Sequence, residues 1–281
     1  MYLSHFGLKE LPFGITPDTQ FAFAGNAHQE ALNTLLVSIK SGDGFIKITG
    51  EVGTGKTLLC RRLLSALGDD EYVTAYLPNP YIEPRVLLLA VAEELGLALD
   101  RHDDQFHLLK SVNQALLDYA REGKPVVLCI DEAQAMPLDS LEALRLLSNL
   151  ETEKRKLLQL VLFGQPELDV KLANPSVRQL RQRIAFSYRL SGLRRDELEH
   201  YLNHRLRVAG YRGDRLFAAG VVRMIHRASR GTPRMVNILA HKALLSAFGE
   251  GRQQVTLRHL RMAVRDTEEA SLPWWRLWAP L

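Results

Sequence analysis

The sequence has little cysteine, no long apolar run and no low-complexity tract, and these absences remove several classes of protein. Its two cysteines, Cys60 and Cys129, stand in separate apolar stretches, which argues against a disulfide framework or a metal site and predicts buried free thiols. The longest apolar run, Val86 to Ala92, is too short to span a bilayer. Because the chain does not start like a secretory signal, we expect a cytoplasmic protein.

The charge balance leaves the choice of partner open. Lysine and arginine exceed aspartate and glutamate by 36 to 32, which gives a formal net charge of +4. This small basic excess permits contact with phosphates or with an acidic surface but requires neither. Charged residues make up 24% and hydrophobic residues 46% of the 281, so the chain can bury a large core, and its length favours two domains.

Short apolar segments alternate with amphipathic helices up to residue 191. The run from Val126 to Ile130 is apolar throughout, as expected of a strand covered on both faces. Such alternation predicts an α/β fold with a doubly wound parallel sheet over residues 1–191. After residue 191 only helical segments follow, which predicts a small helical domain at 192–269. The predicted strands are 45–49, 72–77, 126–130, 157–163 and 184–190; the predicted helices are 56–67, 83–95, 105–121, 138–153, 176–183, 195–209, 215–229, 233–248 and 257–268.

A complete G-x-x-x-x-G-K-T pattern lies between the first predicted strand and the helix that follows it. Glycines in this pattern let consecutive backbone amides wrap the phosphates of a nucleotide. Lys56 is predicted to neutralise phosphate charge, and the Thr57 hydroxyl to bind Mg²⁺. The sequence therefore predicts ATP and Mg²⁺ as ligands, and the predicted ATP-binding segment consists of Gly50, Glu51, Val52, Gly53, Thr54, Gly55, Lys56, Thr57 and Leu58.

Two carboxylates, Asp131 and Glu132, follow the apolar strand 126–130 directly. Ligands bind at the carboxyl ends of parallel strands, so both side chains are expected at the nucleotide. Asp131 is predicted to hold Mg²⁺, and Glu132 to orient and polarise the attacking water. Gln165 follows the next strand, where its amide either reports on the γ-phosphate or caps the helix that starts at Pro166.

Arginines appear at two further places that suit phosphate chemistry. The predicted helix before the last strand carries three arginines, Arg178, Arg181 and Arg183. From there one guanidinium could enter the site of a neighbouring subunit, and the other two are expected to form a solvated face. Arg234 follows Gly231, Thr232 and Pro233 near the start of a helix, in reach of a γ-phosphate.

Taken together and in this order, these motifs resemble the AAA+ ATPases. The N-terminal segments 2–8, 12–13 and 16–18, with Ile130 to Gln134, Gly164 to Leu168 and Leu180 to Ile184, look like the ExeA/GspA-like family, and most like its MshM-type branch, associated with MSHA-type pilus biogenesis. The resemblance covers residues 1 to 269. It implies that Gln165 is sensor 1 and Arg234 sensor 2, that Arg183 or Arg181 is an arginine finger, and that Phe6, Pro12 and Phe13 contribute to the adenine pocket.

The resemblance also implies a setting. We expect an ATPase that forms a ring with copies of itself and drives or regulates assembly of a type IV pilus or a type II secretion machine, with inner-membrane or secretin components as partners. Two alternatives stay open: a DNA-associated switch of the transposition or replication-initiation type, disfavoured because no basic tail or DNA-binding extension is recognised, and a scaffold that hydrolyses ATP slowly.

A tryptophan-rich tail, 270–281, holds all three tryptophans of the chain. Tryptophans beside Arg276 suit a membrane interface or a groove on a partner. Packing of the tail back onto the helical domain is the alternative. Longer members of the family continue into a transmembrane helix and a periplasmic peptidoglycan-binding region, so we expect this chain, which stops at Leu281, not to touch the cell wall directly. Any contact with the inner membrane is expected to be peripheral and to be made by the tail.

Overall fold

The computed structural model describes residues 2–16, 20–23, 25–98, 104–148 and 156–270. Contacts divide them into two compact units. The sheet unit lies within His28–Glu51 and Leu59–Leu190, and the helical unit lies within Met1–Ala27, Val52–Leu58 and Ser191–Leu281.

The sheet unit is built on five parallel strands in the order β2-β3-β4-β1-β5. Every residue of the two central strands β3 and β4 is buried, which is the pattern of strands covered on both faces. This confirms the predicted α/β fold with a doubly wound parallel sheet. The strands are β1 (Phe45–Thr49), β2 (Val73–Leu77), β3 (Val126–Ile130), β4 (Leu158–Gly164) and β5 (Phe186–Arg189).

Helices pack against the two faces of this sheet. They are numbered along the whole chain from α1 (Tyr2–His5), which belongs to the helical unit. On one face, α4, α5 and α6 enclose a continuous core with strand residues such as Leu128 and Leu160. The helices that follow α1 are α2 (Asn26–Ser41), α3 (Lys56–Ala66), α4 (Pro84–Glu94), α5 (Gln105–Arg121), α6 (Leu138–Ser148), α7 (Glu167–Leu172) and α8 (Arg178–Gln182).

On the other face of the sheet, α3 packs against β3 through the two cysteines. Cys60 and Cys129 are free and fully buried, as predicted, and their side chains are hydrogen-bonded to each other. This hydrogen bond, with burial, raises the pKa of the Cys60 thiol. The pair therefore acts as packing between the helix that follows the glycine loop and the strand that carries Asp131.

The helical unit contains α9 to α12 and the N-terminal segment. Its apolar core is centred on α11 and includes Tyr2, Phe6, Phe13 and Phe21. Residues 1–27 thus cluster with the C-terminal helices, whereas the sequence divided the chain at residue 191; that division into domains stays a prediction. The remaining helices are α9 (Arg195–Val208), α10 (Ala219–Ser229), α11 (Pro233–Gly249) and α12 (Leu257–Arg265).

Some elements differ from the sequence prediction. Helix α2 was not predicted at all. The predicted helix 176–183 consists of a 3₁₀ turn, Pro175–Val177, followed by α8. Helix α10 begins at Ala219 rather than at residue 215, because Phe217 instead forms a β-bridge with Val255. The end of the predicted helix 138–153 and almost all of the tail 270–281 lie outside the described residues.

Within the described ranges, no helix combines the length and the apolar character needed to cross a membrane.

Candidate nucleotide-binding site

The predicted phosphate loop joins β1 to α3, as its motif requires. Gly53 and Gly55 have φ angles of 78° and 96°, which glycine adopts without steric cost. Thr54 is 2% exposed and Lys56, the first residue of α3, is 5% exposed. The loop therefore combines the glycine conformations and the helix N-terminus that a phosphate cradle needs.

Gly53 also contacts Arg234, the predicted sensor 2, within the helical unit. The Arg234 backbone N–H donates to the Gly53 carbonyl oxygen at 3.2 Å. A β-carbon built on Gly53 would lie 2.4 Å from the Arg234 β-carbon. The structure thus brings one glycine of the loop and the first turn of α11 into direct contact, and only glycine fits there.

Gly231, which precedes this helix, is also a position where a side chain would clash with the neighbouring backbone. Its φ is 76°, and a β-carbon there would lie 2.3 Å from the Leu193 carbonyl oxygen. The Leu193 N–H donates to the Gly231 carbonyl oxygen at 2.8 Å, so two backbones run in close contact. Thr232 occupies the N-cap position and Pro233 the first turn, and the Thr232 side chain makes no capping hydrogen bond.

Parallel pairing places three chain segments side by side at the carboxyl edge of the sheet. Thr49, which ends β1, pairs with Gly164, which ends β4, and the Gly50 N–H donates to the Gly164 carbonyl oxygen at 3.1 Å. On the other side of β4, the register of β3 brings Asp131 to the same edge. The Asp131 N–H donates to the Leu77 carbonyl oxygen, and Asp131 is 2% exposed.

Glu132 has an unusual backbone conformation. Its φ of 52° and ψ of 36° are left-handed, which is uncommon for a residue other than glycine and occurs often at functional sites. Its N–H donates to Asp131 Oδ1 at 2.9 Å. The neighbouring carboxylate therefore supports the turn that directs Glu132 away from the strand.

Gln165, which follows β4, lies beside Glu132. Its Nε2 donates to Glu132 Oε2 at 3.1 Å. It does not cap the next helix, because α7 has Pro166 at its N-cap and no side-chain capping bond. The structure therefore joins the predicted sensor to the predicted base and does not support the capping alternative.

A second amide, Gln134, contacts the same carboxylate and was not predicted as a site residue. Its Nε2 donates to Glu132 Oε2 at 2.5 Å, and its Oε1 accepts from the Gln165 N–H at 2.9 Å. The sequence contained a hint, because Gln134 ends the Ile130 to Gln134 motif that carried part of the family resemblance. No local pattern showed its contacts.

The three candidate finger arginines lie around α8, before the edge strand β5. Arg178 and Arg181 are exposed, and Arg183 is partly buried at the C-cap of α8, where its N–H donates to the Leu180 carbonyl oxygen. β5 pairs with β1 and is largely exposed. The arginines thus stand at an edge of the sheet, which suits a subunit interface, and the choice among them stays a prediction.

The residues predicted for the adenine pocket lie in the N-terminal segment of the helical unit. Phe6 is 5% and Phe13 3% exposed, and the Phe13 ring packs edge-on against Phe217. Pro12 is buried as well. Their side chains therefore contribute to the core of this unit, and a direct contact with adenine stays a prediction.

A buried arginine holds this segment in place. Arg205 Nε donates to the Pro12 carbonyl oxygen at 2.6 Å, and its guanidinium lies over the Phe21 ring, 4.8 Å from the centroid. Asn237 Nδ2 donates to the Gly14 carbonyl oxygen at 3.0 Å, and Asn237 Oδ1 accepts from the Tyr201 hydroxyl. The backbone of residues 12–14 is thus fixed by polar side chains of α9 and α11 that the sequence did not single out.

Across the described residues, no group of three or more His, Cys, Asp or Glu side chains could hold a metal ion. Mg²⁺ in nucleotide sites is bound by one or two protein ligands together with phosphate oxygens and water. The prediction of Thr57 and Asp131 as its ligands does not need such a group and stays a prediction.

A parallel sheet of this order, with a glycine loop after β1 and an acidic pair after β3, is the architecture of a P-loop nucleotide-binding domain. Comparison with known proteins agrees. A family model described as "AAA domain" (AAA_22) matches residues 39–172. The "General secretion pathway protein A" of Aeromonas hydrophila is 40% identical over 266 residues. The chain therefore belongs to the GspA/ExeA-like family of AAA+ ATPases.

The match covers 95% of this chain and 48% of that protein, so the chain spans about half the length of this curated relative.

Solved structures with low sequence identity share the fold. The Cdc6p of Pyrobaculum aerophilum is 18% identical, with a TM-score of 0.67 over 89% of this chain and 71% of that one. The ORC2 protein of Aeropyrum pernix, solved as ADPNP-ADP complexes, is 19% identical, with a TM-score of 0.61 over 93% of this chain and 74% of that one. At such identities the likeness shows the fold alone.

The contact between Gly53 and Arg234 leads to a prediction with a matched control. Gly53→Ala should weaken binding of a fluorescent ATP analogue about tenfold or more, because the β-carbon would displace the loop or α11. Gly42→Ala carries the same positive-φ strain, with φ 75°, but meets nothing within 4 Å. It should lower stability by about 1–2 kcal/mol and leave nucleotide affinity unchanged. Equal affinities of the two variants in titrations would contradict this steric argument.

Proposed function

We propose that this chain is an Mg²⁺-dependent ATP hydrolase that assembles with copies of itself into a ring and drives or regulates assembly of a secretion machine or an MSHA-type pilus. One observation supports hydrolysis most directly. Glu132 leaves the end of β3 in a left-handed conformation, next to the buried Asp131, and its carboxylate oxygen Oε2 accepts hydrogen bonds from two amides. A carboxylate held in this way is suited to polarise water.

The phosphate loop supplies the binding part of the proposal. Gly53 and Gly55 turn the backbone so that amides of the loop can face an anion, and Lys56 begins α3, where the helix dipole favours negative charge. Asp131 and Thr57 are the groups that fit a hard cation, since both offer oxygen. Mg²⁺, when bound, would neutralise charge on the phosphate oxygens.

Gln165 is proposed to report the state of the nucleotide to Glu132. Its side-chain amide already donates to Glu132 Oε2 at 3.1 Å. If Gln165 turns toward a γ-phosphate, that hydrogen bond is lost and the water-polarising carboxylate changes its environment. Arg234, whose backbone is joined to Gly53, would report the same phosphate to the helical unit.

The biological setting rests on the relative rather than on the site. That relative's name connects it with general secretion, and this chain matches about half of it. A role at a secretion machine is the direct extension of that likeness, and a role at a pilus is the narrower form suggested by the N-terminal motifs. Ring assembly is supported by the arginines around α8, beside the edge strand β5, of which Arg178 and Arg181 are exposed and Arg183 is partly buried; this place suits delivery of a guanidinium in trans.

Two variants separate binding from hydrolysis. Lys56→Ala should lose most ATP binding, because the charge on the β- and γ-phosphates is no longer neutralised. Glu132→Gln should bind ATP with wild-type affinity but hydrolyse it at least about 100-fold more slowly, because an amide cannot accept the proton of the attacking water. Equilibrium binding and steady-state phosphate release measure the two effects. Unchanged turnover in both variants would exclude the assigned roles.

A mixing experiment tests the arginine in trans. Arg183→Ala and Glu132→Gln should each be inactive alone, but in a mixed ring a Glu132→Gln subunit can supply the arginine to a neighbour that still has its base. Random assembly of equal amounts should restore about a quarter of wild-type turnover, since one interface in four then combines both intact groups. Arg178→Ala, an exposed change on the same helix, should retain wild-type activity.

The alternative finger and the contrary result are tested in the same way. If Arg181→Ala, and not Arg183→Ala, is inactive alone and rescued in the mixture, the finger is Arg181. Rescue in neither mixture, with rings confirmed by light scattering, would show that neither Arg181 nor Arg183 acts in trans.

The proposed setting is tested by capture in the native cell. Tagged Glu132→Gln should hold ATP and, with it, components of a secretin or of an inner-membrane assembly platform, identified by mass spectrometry after cross-linking. Lys56→Ala is the control, because it lacks the bound nucleotide that stabilises the complex. Recovery of the same proteins with both variants would show that their association does not depend on nucleotide.

A further inference from the structure

Gln134 is placed where it can control the geometry of Glu132. It lies in a 3₁₀ turn, Ala133–Ala135, which begins directly after Glu132. The two ends of its side-chain amide have separate partners: Nε2 donates to Glu132 Oε2, and Oε1 accepts the backbone N–H of Gln165. One side chain therefore connects the segment that follows β3 with the segment that follows β4.

The Glu132 carboxylate is held at one of its two oxygens. Gln134 Nε2 and Gln165 Nε2 both donate to Oε2, at 2.5 and 3.1 Å. Two donors on one oxygen fix the rotation of the carboxylate about its last bond. The other oxygen, Oε1, takes part in neither of these hydrogen bonds, which suits it to accept a proton from water.

The turn that carries Gln134 is itself supported. Lys171 Nζ donates to the carbonyl oxygens of Gln134 and Met136 at 2.5 and 2.6 Å. A β-carbon at Gly164 would lie 3.3 Å from Gln134 Oε1 and 2.8 Å from Leu168 Cδ2. The glycine at the end of β4 thus leaves room for the amide, and the lysine holds the backbone from which that amide projects.

We propose that Gln134 is a positioning residue for hydrolysis: it fixes the carboxylate of Glu132 through Oε2 and holds the backbone of Gln165 beside it, which leaves the Gln165 side chain able to turn. This inference rests on the proposed function, because it assigns a role within the same reaction. Gln134 lies outside the phosphate loop, so its contribution is made to the rate of hydrolysis and not to the affinity for nucleotide.

Gln134→Ala tests the size of the effect. Loss of one of the two donors lets the Glu132 carboxylate rotate, so kcat should fall about 10- to 100-fold, the usual range for residues that orient a reacting group from behind. Affinity for ATP should stay within about twofold, since no phosphate contact is removed. Single-turnover hydrolysis and equilibrium binding measure the two quantities.

Gln134→Glu tests the orientation in a way that a structural role would not mimic. The variant keeps the length and the oxygen that accepts from Gln165, but it replaces the donor to Glu132 with a second carboxylate. Two carboxylates in contact repel each other, so the Glu132 carboxylate should leave its orientation and kcat should fall at least as far as in Gln134→Ala, while ATP affinity stays within about twofold. Gln253→Glu, an exposed change in the helical unit, should leave kcat unchanged.

The outcomes are distinct. Wild-type kcat in Gln134→Ala overturns the inference, as does wild-type kcat in Gln134→Glu. Loss of ATP binding in a folded Gln134→Ala also overturns it, because the residue would then be general structural support. Absence of turnover in the wild-type ring, with ATP bound, would instead overturn the proposed function itself.

Discussion

The pairing of β4 between β1 and β3 is the constraint on which the candidate site depends. Parallel strands leave a sheet at the same edge, and the register matches the end of β1 to the end of β4 and brings the end of β3 beside them. Gly50, Gln165 and Asp131 are consequently neighbours at that edge before any of their side chains makes a contact. The burial of every residue in β3 and β4 shows what maintains this arrangement, since the apolar strands can be covered only by helices on both faces. The polar groups of the site rest on a scaffold that contains almost no polar side chains.

The parts of this arrangement that the sequence predicted are those with a local pattern. β1, β3 and α5 were predicted with their observed bounds, because short apolar runs and a regular amphipathic face are visible in a few residues. The glycine loop was visible for the same reason. Helix α2 has the required spacing too, with Leu32, Leu35 and Ile39 buried, but His28 and Ser38 lie on the same buried face. Polar and small residues at core positions weaken the apolar periodicity, so a helix that is fully part of the fold gave no clear pattern.

The parts that the sequence did not predict are made by groups without a local pattern. Gln134 acts through a side chain two residues back and a backbone amide 31 residues on, and only the folded sheet brings the three together. Arg205 donates hydrogen bonds to the backbone carbonyl oxygens of Pro12 and Gly14. Every residue has such a carbonyl, so nothing in the sequence marks these two as partners of Arg205. The aromatic residues of the N-terminal segment were visible, but their burial in the helical unit was not. The family of the protein could be inferred from its motifs, whereas contacts between residues that are far apart in the sequence could be seen only in the structure.

Part of the phosphate loop belongs to the helical unit. Residues 52–58 cluster with the helical unit, although the chain enters them from a strand of the sheet. α11 makes the connection: its first turn donates the Arg234 N–H to Gly53, and Asn237, one turn later, donates to Gly14 in the N-terminal segment. A single turn of helix is nearly rigid, so these two contacts hold Gly53 of the loop and Gly14 of the N-terminal segment in a fixed relation to α11.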